Sequence, residues 1–340
     1  MTSTSSTTPL ATRKLGRTGM EITRVGFGAW AIGGPDWAVG WGAQDDADSI
    51  RAIRHAVERG VNWIDTAAIY GLGHSERVVA AALAEIPASG RPYVFTKCGQ
   101  VWDPADRNSK FRVGRADSIR RECEDSLKRL GVDVIDLLQM HWPAEDGSAI
   151  DEYWRALLDL KAEGKVRAVG LSNHNADQLD AAEKLGHVDT LQPPLSAIRR
   201  GAIERELPWC LTHDTGVIVY SPMQSGLLSG GFSAGRVAGL PSDDWRATHP
   251  DFTGDALTRN LQVAEAMKPI AARHGVSQAA VAVAWALAVP GVTGAIVGAR
   301  SPAQVDGWIA AAGLELLDED LALVAEAIRT SGAGSGPVSG

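Results

Sequence analysis

A strand followed by a helix, repeated along the chain, restricts this sequence more than any other feature. Ile50, Ile53 and Val57 recur at helical spacing, Gly60 ends that helix, and Val61–Asp65 follows as a short apolar strand. Ile119, Cys123, Leu127 and Leu130 repeat the pattern, closed by Gly131 and followed by the strand Val134–Met140. Leu157 and Leu158 run to Gly164 before Val166–Leu171. Leu179 and Ala182 run to Gly186 before Val188–Leu191, and Cys210 and Leu211 to Gly216 before Val217–Tyr220. With Val25–Gly28, Tyr93–Thr96 and Gly294–Val297 the strands number eight. Alternating β and α units imply a parallel sheet, and eight of them fit a closed (β/α)8 TIM barrel. An open doubly wound sheet is the rival. No break in composition marks a second domain, so residues 12–328 are expected to form one barrel. Arg13–Leu15 and Glu21–Thr23, about the Thr18–Gly19 turn, predict an N-terminal β-hairpin capping the barrel bottom. Ser229–Thr258 is polar and rich in Gly and Pro, which predicts a long loop before the last repeats, close to the site. Residues 1–11 and 331–340 read as flexible tails.

Composition narrows the class. The 340 residues, 45% hydrophobic and 22% charged, fit a globular protein with a sizeable core. A net charge of -8 argues against nucleic acid or an anionic membrane as the main partner. A small anionic ligand stays open, because local basic residues can hold one. Cys98, Cys123 and Cys210 form no C-x-x-C pair, and the Ser/Thr-rich start has no basic or apolar region. Both point to a cytoplasmic protein. The most apolar segment, Val276–Val297, is broken by Pro290, Gly291 and Gly294 and is not expected to span a bilayer. No H-E-x-x-H or similar cluster suggests a metal, and His55, His187, His213 and His274 read as surface residues. Gly71-Leu72-Gly73 lacks the third glycine of a dinucleotide fingerprint and reads as a turn. Nothing in the sequence settles the oligomeric state.

Barrel enzymes place their chemistry at the C-terminal ends of strands. The polar residues at those ends are Asp65, Lys97, His141, Ser172 with Asn173, Gln192, Tyr220 and, just past the last strand, Arg300. Tyr70 follows Asp65 closely. Reducing a carbonyl by hydride leaves an alkoxide that needs a proton, and a free phenol of pKa ~10 is a poor donor at neutral pH. An ammonium such as Lys97 is expected to lower that pKa, Asp65 to balance the ammonium, and His141 to orient the carbonyl oxygen. Taken singly, each has a plainer role: a helix cap, a loop anchor, a surface charge, a core histidine. Trp30, Trp37 and Trp41 lie in a Gly-rich loop after the first strand and Trp142 follows His141. Trp30, Trp37 and Trp142 are expected to wall the substrate pocket, with simple loop packing as the alternative.

At these residues the sequence resembles the aldo-keto reductases, over about Arg13 to Ile328. The resemblance rests on Asn62–Gly71 with Gly73-His74-Ser75-Glu76, on Thr96-Lys97 and on Gln139–Pro143. Gly28–Gly34 and Asp244-Trp245-Arg246 resemble the bacterial general-stress-type branch. The resemblance implies a (β/α)8 barrel, NADPH bound in an extended pose, no metal, and a catalytic tetrad of Asp65, Tyr70, Lys97 and His141. Retention of His141 favours carbonyl over carbon–carbon double-bond reduction. Ser172, Asn173 and Gln192 match the carboxamide-binding positions, and Tyr220 the aromatic stacked on the nicotinamide. Ser221 and Met223, with Gly226 and Leu228, resemble the loop along the pyrophosphate. Ser301 and Pro302 are a good N-cap and first helical residue, so Gly298, Arg300 and Ser301 suit a 2′-phosphate, with Gln304 near the adenosine. Gly307-Trp308 stands where many members carry Glu-Asn, which removes a usual adenine contact.

The leading expectation is an NADPH-dependent reductase of small-molecule aldehydes and ketones. The same site run backwards is an NADP-dependent sugar or polyol dehydrogenase. A third possibility is a cofactor-sensing regulatory subunit, like the channel β subunits of the same family.

Overall fold

The computed structural model describes residues 9–35, 37, 39–240 and 244–338. Eight parallel strands close into a barrel: β1 (Val25–Gly28), β2 (Trp63–Asp65), β3 (Tyr93–Cys98), β4 (Ile135–Met140), β5 (Val166–Ser172), β6 (Thr190–Gln192), β7 (Gly216–Val219) and β8 (Gly294–Gly298). Neighbours pair in chain order, and β8 closes onto β1 from Ala295↔Val25 to Gly298↔Gly28. A doubly wound sheet would leave two open edges, so closure removes that alternative.

Helices α1 (Asp46–Glu58), α2 (His74–Ala84), α3 (Ala116–Leu130), α4 (Ile150–Ala162), α5 (Ala176–Glu183) and α6 (Glu206–His213) each join successive strands. Helices α7 (Gly254–His274) and α8 (Gln278–Ala288) precede β8, and α9 (Pro302–Trp308) and α10 (Asp318–Ser331) follow it. Local chemistry sets their ends. Asp45 caps α1 by accepting from the N–H groups of Ala47 and Asp48, and α3 stops at Gly131 with φ +64°.

Strand periodicity then positions the site. Trp63, Phe95, Leu137, Ala168, Ile218 and Ile296 fill the barrel interior together with Leu15, Met20 and Ile22. The last three belong to the antiparallel hairpin Thr12–Lys14/Glu21–Thr23, which closes the barrel bottom. Trp63 donates its indole N–H to Thr23 O (2.8 Å) and fills the space above Gly26, where a Cβ would lie 2.2 Å from the ring. Side chains alternate along a strand, so positions two or four further on face the same interior. Asp65, Lys97, His141, Ser172 and Tyr220 stand at that distance from Trp63, Phe95, Leu137, Ala168 and Ile218.

Two expectations need correction. Residues 332–338 are not a loose tail but lie along the connection after β6. The Ser335 N–H donates to Ile198 O, and Ser335 O accepts from the Arg200 N–H, each at 2.9 Å. The buried Arg200 guanidinium donates to the carbonyls of Ala197, Ala333, Gly336 and Pro337. Gly334 (φ +66°) permits this approach, since a Cβ there would sit 2.0 Å from Ile198 O. The 229–258 stretch is likewise not all loop: it holds the short helix Ala234–Ala238, and α7 begins at Gly254. Residues 1–8 and 339–340 of the expected tails and 241–243 of the expected loop lie outside the described residues. Among the described residues no helix is long and apolar enough to cross a membrane.

Arg200→Ala should therefore release the C-terminal segment and cost about 2–3 kcal/mol, because several buried carbonyls lose their donor. Thermal unfolding with limited proteolysis checks this; an unchanged melting temperature and a protected C-terminus would contradict it.

Candidate active site

Tyr70 sits in the turn after β2, held by the strand ends around it. Ser75 Oγ donates to Ala29 O (2.8 Å), and buried Glu76 accepts from Thr96 Oγ1 (2.7 Å) and Arg129 Nε (2.5 Å). Gly71 (φ +60°) packs against the loop after β1, where a Cβ would meet Gly33 O at 1.9 Å. A close backbone approach, and not a phosphate, explains the glycines there.

The buried ammonium of Lys97 has three N–H groups and three acceptors. They are Asp65 Oδ1 (2.5 Å), Thr66 O (2.9 Å) and the Tyr70 phenol oxygen (3.3 Å). Asp65 Oδ2 accepts in turn from Gln192 Nε2 (2.9 Å). Since Tyr70 accepts from Lys97, its own O–H is free for the cleft that both Tyr70 and His141 line. The two rings meet edge to face, with centroids 5.7 Å apart.

Charge states follow from burial, and one differs from expectation. Burial, reinforced by the charge of Asp65, pushes the Tyr70 phenol well above its usual pKa, the opposite of the expected direction. Burial also lowers the Lys97 pKa and raises that of Asp65, each opposed by the other's charge. His141 is held well below the ordinary histidine value by burial and by the charges of Lys97 and Arg112. The site therefore presents a neutral phenol and a neutral imidazole beside an ion pair, two groups able to donate a hydrogen bond to one oxygen.

Beyond β4 the polar groups orient one another. Asn173 (φ +61°) donates to His141 O and Ser172 Oγ (3.0 Å each) and accepts from the Tyr220 hydroxyl (2.8 Å). Ser172 Oγ donates to Gln192 O (2.9 Å). Beneath them is His174, which reading the strand ends passes over. Its Nδ1–H donates to Ser172 O (2.8 Å), which leaves Nε2 to accept from the Tyr153 hydroxyl (2.9 Å). With one N–H given to Asp65, the Gln192 amide keeps an N–H and Oε1 on the cleft, the complement of a primary carboxamide.

The cleft encloses about 750 Å³ and runs from Tyr70 and His141 to Arg300 and Gln304. Ser221, Met223, Gly226 and Gly298 line it, and so do Trp30, Trp37 and Trp142. Ser221, Gln224 and Ser225 have φ of +57°, +47° and +52°, so this turn carries backbone strain beside the cleft. Leu228 does not reach the cleft: it is fully buried in the core, with its carbonyl accepting from Gln278 Nε2 (3.2 Å). Ser301 occupies the N-cap position of α9 without a capping bond from its hydroxyl, and lies outside the cleft wall.

The sequence reading missed one wall. A hairpin, Gln100–Asp103 and Asp106–Arg112, extends from β3 and brings Gln100, Lys110 and Arg112 to the mouth. Arg112 covers the Trp142 ring (4.4 Å to the centroid) and pairs with Glu145. The Asp103-Pro104 turn flanked by Val101, Trp102 and Phe111 was the available signal. A second omission is the meeting of two loops above the cleft, where Trp30 packs against Trp41 (5.5 Å) and Trp245 (6.2 Å).

Comparison with known proteins identifies the family. The Aldo/keto reductase family profile matches residues 24–329. The chain belongs to the aldo/keto reductase family. It is 34% identical over 304 residues to the Aldo-keto reductase YhdN of Bacillus subtilis (strain 168), covering 89% of each chain. It is 35% identical over 324 residues to the NADH-specific methylglyoxal reductase of Escherichia coli (strain K12), covering 92% of this chain and 96% of that one. Its structure resembles that of the glycerol dehydrogenase AKR11B4 from Gluconobacter oxydans, with a TM-score of 0.86 and 37% identity over 96% and 97% of the chains. This aldo-keto reductase is thus an oxidoreductase acting on carbonyl compounds with a nicotinamide cofactor.

The charge states give a test. The His141 imidazole should remain neutral through the range centred on 6.5 where a free histidine titrates. The unfolded chain binds protons there that folded His141 and His174 (lowered to about 4) do not. Stability should accordingly rise with pH up through 6.5 and be lost as pH falls below it. NMR titration of the imidazoles checks this, and a His141 midpoint at or above 6.5 would contradict it.

Proposed function

We propose that this aldo-keto reductase reduces small aldehydes and ketones to alcohols with NADPH, using Tyr70 as proton donor. One observation carries the proposal: the Lys97 ammonium donates at once to Asp65, Thr66 O and Tyr70, leaving the phenol proton to the cleft. Bound in the cleft, a reduced nicotinamide supplies the hydride. Gln192, Ser172 and Asn173 are the residues to hold its carboxamide, with Tyr220 against the ring and Ser221, Met223 and Gly226 along the phosphates. Arg300 at the far end, with Gln304, favours a cofactor bearing a 2′-phosphate. Ser301 adds a backbone position there and no wall to the cleft.

The rest falls to the chain's own side chains. His141 and Tyr70 both donate to the carbonyl oxygen, which fixes the carbonyl and polarises it. The high pKa of Tyr70 does not prevent transfer, because the alkoxide formed is a far stronger base than a phenolate. It keeps the proton on the phenol until that base appears. Once the proton leaves, the phenolate oxygen retains the Lys97 hydrogen bond, now with opposite charges on both partners. Asp65 keeps Lys97 charged for that moment. Trp30, Trp37 and Trp142 supply a mainly aromatic wall that suits a compact organic carbonyl.

Tyr70→Phe should lower kcat roughly 10²–10⁴-fold while leaving NADPH affinity within about threefold. NADPH consumption with methylglyoxal and a panel of aromatic aldehydes, alongside fluorescence titration of the cofactor, measures both. Unchanged turnover would remove Tyr70 from the reaction. The likeness to a glycerol dehydrogenase supports a second reading, in which a small polyol is oxidised through the same groups. Under that reading Tyr70→Phe abolishes polyol oxidation, and the wild-type protein oxidises glycerol more efficiently than it reduces any aldehyde of the panel.

A further inference from the structure

Arg300 is gripped by a loop from the opposite end of the sequence. Its Nε donates to Gln44 Oε1 (2.5 Å), Nη1 to Trp41 O (3.2 Å) and Nη2 to Ala43 O. Gln44 returns the bond, with Nε2 donating to Arg300 O (3.0 Å) and to Ser49 Oγ of α1 (3.1 Å). The Arg300 N–H donates to Gln304 Oε1 (2.7 Å), so both the backbone and the side chain of residue 300 are fixed.

Three features of this arrangement bear on the ligand. A guanidinium has five N–H groups, and these contacts engage three of them. Nη1 and Nη2 each keep one, the kind of pair that forks onto a phosphate. All three acceptors are neutral, two carbonyls and an amide, so they orient the cation without cancelling its charge. A second guanidinium, that of Arg246, also lines the cleft and opposes the charge of Arg300, but it is already held by the Asp244 carboxylate (2.6 Å), so Arg300 is the cation left for a phosphate.

From these we infer that Gln44 sets the preference for a 2′-phosphorylated over an unphosphorylated adenosine, as a positioning residue acting through Arg300. Its carbonyl aims the guanidinium, and its neutrality leaves the charge for the phosphate. A glutamate has nearly the same shape and would accept the same N–H, but it would pair with the cation and repel an arriving phosphate. One uncharged atom group therefore separates a phosphate site from an internal ion pair. The inference rests on Arg300 facing the adenosine ribose, as proposed above.

The test uses adenosine 2′,5′-bisphosphate and 5′-AMP, which differ only in the 2′-phosphate, titrated calorimetrically into the full chain. Gln44→Glu should weaken the bisphosphate about 10–100-fold and 5′-AMP less than about threefold. Gln44→Ala, which frees Arg300 without neutralising it, should weaken the bisphosphate only about 3–10-fold. A parallel loss of both ligands in Gln44→Glu would mean that residue 44 merely supports the loop, and an unchanged bisphosphate affinity would equally overturn the inference. Arg300→Met separates the two layers. If it removes the preference while Gln44→Glu does not, only the role of Gln44 fails. If the wild-type protein shows no preference and Arg300→Met changes nothing, the assignment of Arg300 fails and the role of Gln44 falls with it.

Discussion

A lysine ammonium at the centre of a protein brings one charge to balance and three N–H groups to satisfy, and an isolated one is expensive to bury. Lys97 resolves this with a carboxylate, a backbone carbonyl and a phenol, all drawn from the end of the adjacent β2 and the turn after it. None of the three partners can be exchanged freely. Asp65 alone balances the charge, Thr66 O depends on where β2 ends, and Tyr70 depends on the turn that Gly71 permits against Gly33. The ion pair is thus a constraint on geometry before it is a source of chemistry. Glu76, joined to Thr96 and Arg129, and Ser75, bonded to Ala29, brace the same strand ends from behind.

The barrel makes that constraint affordable. Trp63 and Phe95 stack at 5.4 Å in its lower half, directly below Asp65 and Lys97 on the same strands. The apolar layer fixes the strands' height and register, and alternation then delivers the polar layer above it to one rim. A one-residue slip of β3 would turn Lys97 outward and place Thr96 inside, leaving Asp65 buried without its cation. The hydrophobic contacts below and the ion pair above therefore select the same register, which is the agreement between levels that a well-specified fold needs.

What could be read from the sequence follows from this. Eight strands and the polar residues at their ends are local signals, short apolar runs that each follow a helical pattern closed by glycine or stand between turn residues. Other features depended on partners that no local pattern reveals. Ser331–Gly340 has the composition of a disordered tail, yet its carbonyls satisfy Arg200, more than a hundred residues earlier. Gln44 is an ordinary loop residue until Arg300 is brought to it. The expected lowering of the Tyr70 pKa is reversed for a physical reason: burial disfavours the phenolate, and the Asp65 charge beside it adds to that. His174 was overlooked because its role lies under Ser172, one layer beneath the strand-end pattern.

Two kinds of wall meet in the cleft, and they differ in how they are held. The floor is a closed set of hydrogen bonds among buried groups, from Lys97 through Asp65 and Gln192, and from Tyr220 through Asn173 to the His141 carbonyl. The roof is aromatic: Trp30 and Trp41 from the loop after β1 meet Trp245 from the connection after β7, and Arg246 lies over Trp41. None of the three indole N–H groups has a protein acceptor, so ring packing and the cation–π contact hold the roof without directional bonds between the indoles. Such a contact separates and reforms at smaller cost than a network whose groups would be left unpaired. Changing a floor residue leaves a buried charge or amide without its partner, whereas changing a roof tryptophan leaves none of these polar groups unpaired.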